Sequence, residues 1–121
     1  MNAMEFADKY FEMWKTTDEV KRQALSQELF TAEATHYAVP ANVKFESRDA
    51  ILANISRINT ENIQKAGLQF QVGNITPNHN AIQIEWAVAA PNGTVVGKGR
   101  DFLVLNQEGK AVSLHMFNFN S

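Results

Sequence analysis

Val95-Val96-Gly97-Lys98-Gly99-Arg100-Asp101-Phe102-Leu103-Val104-Leu105 decides how the chain is read, because its two alternate sets differ so sharply. Side chains alternate across a strand. Val95, Gly97, Gly99, Asp101, Leu103 and Leu105 fall on one face, and Val96, Lys98, Arg100, Phe102 and Val104 on the other. Lys98 and Arg100 require water, so the odd-numbered face is predicted to look inward. That places Asp101 among glycines that leave space and leucines that exclude water. A carboxylate there must be hydrogen-bonded, partnered or protonated. Two readings stay open: a structural residue bonded to a turn or set at a wet rim, or a pocket acid whose pKa burial raises.

The flanking segments extend the sheet. Pro91-Asn92-Gly93 is a tight-turn signal, since Asn-Gly tolerates positive φ. It joins the strand to Ala81–Ala90, where Ile82, Ile84, Trp86 and Val88 share a face opposite Gln83 and Glu85. Leu68 to Ile75, before the turn Pro77-Asn78-His79-Asn80, is a further strand. Gln107-Glu108-Gly109 leads to a last strand, Ala111 to Phe119, with Leu114, Met116 and Asn118 alternating against His115, Phe117 and Phe119. A strand apolar on both faces needs two covers, which predicts a homodimer through the outer sheet face. Gly97 and Gly99 inside a strand predict a bulge or bend.

Upstream the spacing is helical. Phe6, Tyr10, Met13 and Trp14 form one stripe. Thr16 and Glu19 have capping-box spacing and open a second helix through about Leu29. Thr35 to Val39 is a short strand stopped by Pro40. Ser47 caps a third helix carrying Ile51, Ile55 and Ile58, with Asp49 in its first turn and Gly67 as its stop. Helices followed by a meander imply an α+β class: a cone-shaped curved antiparallel sheet, mixed at its edge, around three N-terminal helices, in one domain over 1–121.

Composition narrows the function. The chain has no cysteine, which excludes disulfides, thiolate metal sites and cysteine nucleophiles. A net charge of −2 without a basic block argues against nucleic acid or anionic membrane as partner. No apolar run is long enough to span a bilayer, and the first residues lack a secretory pattern, so a cytoplasmic protein is expected. His36, His79 and His115 are too scattered for a metal motif, and no phosphate loop or nucleophile elbow occurs. No metal or cofactor is expected.

The order and spacing of Tyr10-Phe11-Glu12-Met13-Trp14, Ala34-Thr35-His36-Tyr37, Ser47-Arg48-Asp49-Ala50-Ile51 and Gly99-Arg100-Asp101-Phe102 resemble the SnoaL-like and ketosteroid-isomerase-like proteins of the nuclear transport factor two-like superfamily. The resemblance covers nearly the whole chain and implies a cone around a pocket open at one end. Steroid isomerases of that family stabilise an enolate with a tyrosine of the first helix and a protonated aspartate of the penultimate strand, a system that also serves as a standard example of a neutral buried acid. The resemblance places Tyr10 and Asp101 at those positions. It also shows a departure: the general base just before the strand-ending proline is absent, since Ala38 and Val39 precede Pro40. Arg100, beside Asp101 but on the other face, does not reproduce the arginine of the epoxide hydrolases. A SnoaL-type cyclase needs a single acid, and Asp101 could supply it.

The candidate catalytic set is therefore Asp101, Tyr10 and His36, the last a strand histidine near the missing base. Each has an ordinary alternative as a core or structural residue. Trp14, Ile55, Trp86, Leu103, Leu114, Met116 and Asn118 are expected to line the pocket. Tyr37 faces away from His36, His79 lies in a turn, and His115 shares its face with Phe117 and Phe119. The expected ligand is small, apolar or carbonyl-containing, turned over by an isomerase- or cyclase-type enzyme. The rival is a non-catalytic binding or dimerisation module.

Overall fold

The computed structural model describes residues 1–119; the predicted span 1–121 ends with two residues outside the described ones. The first helix, α1 (Ala3–Lys15), buries Phe6, Tyr10, Met13 and Trp14 as their helical spacing requires. Asn2 caps it, accepting from the Glu5 amide. The second, α2 (Glu19–Leu29), is capped by Asp18, whose carboxylate accepts from Val20 N and Lys21 N. Thr16, the expected cap, instead accepts from Asp18 N in the preceding turn. A carboxylate that takes two amides and sits at the positive helix end outcompetes the hydroxyl.

Strand β1 (Phe30–Val39) follows α2 directly and begins well before Thr35. A short return strand, β2 (Val43–Glu46), was not legible in the sequence. Helix α3 (Arg48–Ile58) starts at Ser47, whose hydroxyl accepts from Ala50 N. It widens into a π-helical segment, Asn59–Lys65, and stops at Gly67, φ 70°. The helices therefore do not all precede the sheet, because β1 and β2 come before α3.

Strands β3 (Gln69–Asn78), β4 (Ala81–Ala89), β5 (Val95–Leu105) and β6 (Ala111–Phe119) form the meander. The strand order is β2-β1-β6-β5-β4-β3 in one six-stranded sheet. Every neighbouring pair is antiparallel except β1 with β6, which is parallel. The sheet is thus mixed, curved and open. Bulges fall between Val72 and Ile75, at Val96, and opposite the Val104–Leu105 step, and such insertions bend a sheet. Gly97 adjoins the second of these, as the glycine pattern predicted.

Arg22 is a core residue that helical patterning did not reveal; it is fully buried. Its Nε donates to Met13 O at 3.2 Å, Nη2 to Thr16 O, and Nη1 to Ser56 Oγ at 3.2 Å and to Glu19. Carbonyls at a helix C-terminus lack intrahelical partners, and a guanidinium has five donors to offer them. One side chain thereby joins α1, α2 and α3. Among the described residues, no helix is long and apolar enough to cross a membrane.

Candidate functional site

The inward parity of β5 holds. Asp101 is 2% exposed and Leu103 fully buried, whereas Lys98 and Arg100 are exposed. Both oxygens of the acid are engaged. Tyr10, from α1, donates its hydroxyl to Oδ2 at 2.6 Å, and Trp86, from β4, donates Nε1–H to Oδ1 at 2.8 Å. The register pairs Asp101 with Ile84 and Trp86 with Gly99, so the indole has to lean along β5 to reach the acid. Gly99 permits this. A Cβ there would overlap the Trp86 ring and stand 2.6 Å from the Phe117 carbonyl oxygen. The space beside Asp101 is therefore filled by Trp86, which is a partner of the acid as well as a wall residue.

Burial raises the Asp101 pKa from 3.8 to about 7, although the Tyr10 and Trp86 hydrogen bonds pull it down. Tyr10 is pushed well above the ordinary phenol value, first by burial and then by the neighbouring carboxylate. At neutral pH Tyr10 is a phenol, and Asp101 is divided between its two protonation states.

Trp14 and His36 form a second polar group. Their rings meet edge-on, centroids 6.3 Å apart, with Phe45 5.5 Å from His36 on its other side. His36 is 1% exposed and Trp14 6%. Among the described residues, neither His36 nitrogen has a hydrogen-bond partner; the Trp14 indole N–H acts on the Tyr10 hydroxyl, lowering its pKa, at a geometry short of a full hydrogen bond. Burial, reinforced by His115, lowers the His36 pKa from 6.5 to about 4, so the imidazole is neutral. Trp14 is fixed through its backbone: its carbonyl accepts from Asn59 Nδ2 at 2.8 Å, and Asn59 Oδ1 accepts from Gln64 Nε2 at 2.8 Å. The π-helical turn that carries Asn59 and Gln64 thus holds the last turn of α1 through its backbone.

Both groups face one cavity of about 420 Å³. Tyr10, Trp14, His36 and Asp101 are on its wall, together with Trp86, Met116 and Asn118. Ile55, Leu103 and Leu114, expected on that wall, are instead fully buried in the core and do not line it. Leu103 and Leu114 have the inward parity and Ile55 lies on the buried stripe of α3, but all three belong to the packed core where the helices meet the sheet. Helix α3 contributes Asn54 and Arg57, joined by a 2.7 Å hydrogen bond from Nη2 to Oδ1; the isoleucine stripe gave no hint of either.

The register separates His36 from Asp101. Ala38, Met116 and Asp101 form one row across β1, β6 and β5, whereas His36 stands in the next row with Leu114 and Leu103. The residue in line with the acid is Ala38, which cannot take up a proton. Tyr37 points outward, 42% exposed, and stacks on His115 with centroids 4.9 Å apart. Arg100 also points outward, 3.6 Å from Glu85 and over the Phe119 ring. His79 is exposed in its turn. Among the described residues no three His, Asp or Glu side chains are grouped to hold a metal ion.

No family model matches the chain, and no curated protein matches it. Solved structures do. A proposed isomerase of the SnoaL-like family from Agrobacterium tumefaciens superposes with a TM-score of 0.83 at 21% identity, over 98% of this chain and 97% of that one. A protein of unknown function from Exiguobacterium, described as NTF2-like, gives 0.74 at 24% identity, over 96% and 99%. A proposed polyketide cyclase from Sinorhizobium meliloti gives 0.67 at 18% identity, over 96% and 99%. At these identities the likeness is one of fold. The chain has the nuclear transport factor two-like fold, the α+β cone of SnoaL-like and ketosteroid-isomerase-like structures.

Proposed function

We propose that the cavity binds a small, mainly apolar molecule carrying a carbonyl oxygen, and that Tyr10 with Asp101 polarises that oxygen in an isomerase- or cyclase-type reaction. The observation that carries this is a nearly inaccessible acid, doubly hydrogen-bonded, on the wall of an apolar hollow. When Asp101 is protonated, its O–H donates to the Tyr10 oxygen. The tyrosine hydrogen is then free to donate to a carbonyl, and the acid behind it strengthens that bond. A pKa of about 7 keeps both forms populated near neutrality, which suits a proton relay. Proposed isomerase and cyclase activities among proteins of the same fold support the reading.

The test is exchange of the α-hydrogens of a bound aryl methyl ketone for deuterium, followed by NMR; solvent takes the α-proton and returns a deuteron, while Tyr10 and Asp101 stabilise the enolate oxygen. Removing one donor of this kind typically costs about 2.7–4 kcal/mol of transition-state stabilisation. Asp101→Asn should therefore slow protein-dependent exchange about a hundredfold or more. Equal rates in the two proteins would exclude the catalytic role.

A second reading, a non-catalytic binding module, is favoured by Ala38 standing in line with the acid. It predicts ketone binding without protein-dependent exchange. In either case we place a second copy of the chain on the outer sheet face. Tyr37, Val39, Phe117 and Phe119 are each 40–43% exposed there. Monomer mass by light scattering at micromolar concentration would exclude the dimer.

A further inference from the structure

We infer that Arg57, held by Asn54, forms an anion-selecting subsite at the cavity mouth, so that the ligand carries a carboxylate at the end remote from its carbonyl. The inference rests on the carbonyl-binding reading above and adds the second polar feature of the ligand.

Helical spacing puts Arg57 and Ile58 beside Asn54 on α3, and all three line the cavity. Asn54 is 8% exposed, and its Oδ1 accepts from Arg57 Nη2 at 2.7 Å. That bond fixes which end of the amide faces the guanidinium. Asn54 Nδ2 has no acceptor among the described residues, yet it is not enclosed as the His36 nitrogens are. Arg57 is exposed and Asp101 nearly inaccessible, so the two mark the mouth and the depth of one hollow.

The charge of Arg57 is unanswered. Among the described residues no carboxylate stands within ion-pair distance of it, and Glu61, four residues on, is 3.5 Å from Lys65. Arg22 and Arg100, by contrast, have Glu19 and Glu85. Asp101, an acid on the cavity wall, is committed to Tyr10 and Trp86.

Donor and acceptor character selects the occupant. A guanidinium and an amide nitrogen can only donate. An ammonium could not accept from them and would be repelled. A hydroxyl or a second carbonyl would accept but leave the charge uncompensated. A carboxylate accepts at both oxygens, matches the planar fork of the guanidinium and cancels its charge. At the mouth it also keeps part of its hydration, which an anion in the apolar depth would lose.

The test uses para-acetylbenzoate and its longer biphenyl analogue, each beside the corresponding carboxamide, which has nearly the same shape without the charge. Calorimetric titration of the whole protein at low salt should show, for at least one length, the carboxylate binding about five- to tenfold tighter than its carboxamide. The margin should shrink as salt is raised, because an exposed ion pair is screened. Arg57→Gln should abolish the margin and Arg57→Lys should keep part of it. In the unaltered protein, the Arg57 Nε resonance should move with the carboxylate and stay fixed with the carboxamide. Equal affinities at both lengths, a margin retained in Arg57→Gln, or an unmoved Nε resonance would overturn the subsite and leave the carbonyl reading intact. If no probe binds, or if removing the acetyl group weakens none of them, the carbonyl reading fails and the inference falls with it.

Discussion

The inner and outer faces of β1, β5 and β6 are made from alternate residues of the same strands, yet each holds groups out of keeping with its surroundings. Inside, where water is excluded, stand His36 and Asp101; outside, where water has access, stand Tyr37, Phe117 and Phe119. The inner anomaly costs desolvation, visible as two pKa values moved toward the uncharged forms. The outer anomaly costs exposed apolar area. Neither improves the stability of a lone chain. Folding alone accounts for Ile84 and Leu103; it does not account for these.

The sharpest way to break the comparison is to remove charge from the inner face. Folding favours the protonated form of Asp101. Its stabilising contribution is complete below 3.8, falls as pH rises, and is gone above about 7. At about 1.36 kcal/mol per unit, that interval amounts to about 4 kcal/mol. Denaturant unfolding should therefore show the unaltered protein losing about that much, relative to Asp101→Asn, across the window. Parallel curves would show an acid open to water.

His36 gives the opposite slope. Its lowered pKa favours the neutral ring, so stability present above 6.5 is lost as pH falls toward 4. The loss should be about 3 kcal/mol, and His36→Phe should flatten that limb in the same experiment.

Gly99→Ala tests the partnership rather than the charge. The added methyl collides with Trp86 and the Phe117 carbonyl, at an overpacking cost of about 1–3 kcal/mol. Thermal unfolding measures the loss. With Trp86 displaced, Asp101 also loses a donor, so its NMR-detected titration should move upward.

The smallest effect on the single chain belongs to the outer face. Phe117→Lys should change unfolding stability by only about 0.5 kcal/mol while lowering the mass measured by light scattering. A large stability loss with unchanged mass would place Phe117 in the packing of the monomer.

The limits of the sequence follow from what local pattern can encode. Parity in β5 and the Asn92-Gly93 turn are local, and both emerged correctly. The strand β2 is four residues long and mostly exposed, so it has no apolar alternation to announce it. Arg22 looks like a surface cation until the carbonyls it serves are brought to it from another helix. Trp86 as a partner of Asp101 depends on cross-strand register and on the empty position at Gly99, neither of which a single strand displays. The inward parity of Leu103 and Leu114 and the buried stripe of Ile55 were correct. Their distance from the cavity depends on how the helices pack onto the sheet.

The chain has two tryptophans, and the fold assigns one to each polar group: Trp86 to Asp101 and Trp14 to His36. The protein is therefore optically labelled by its own residues. Loss of the carboxylate charge changes the field on one indole, and a molecule entering the cavity packs against the other. Single Trp→Phe replacements would leave emission from one group at a time, so proton uptake and ligand entry could be followed separately in an otherwise unmodified solution.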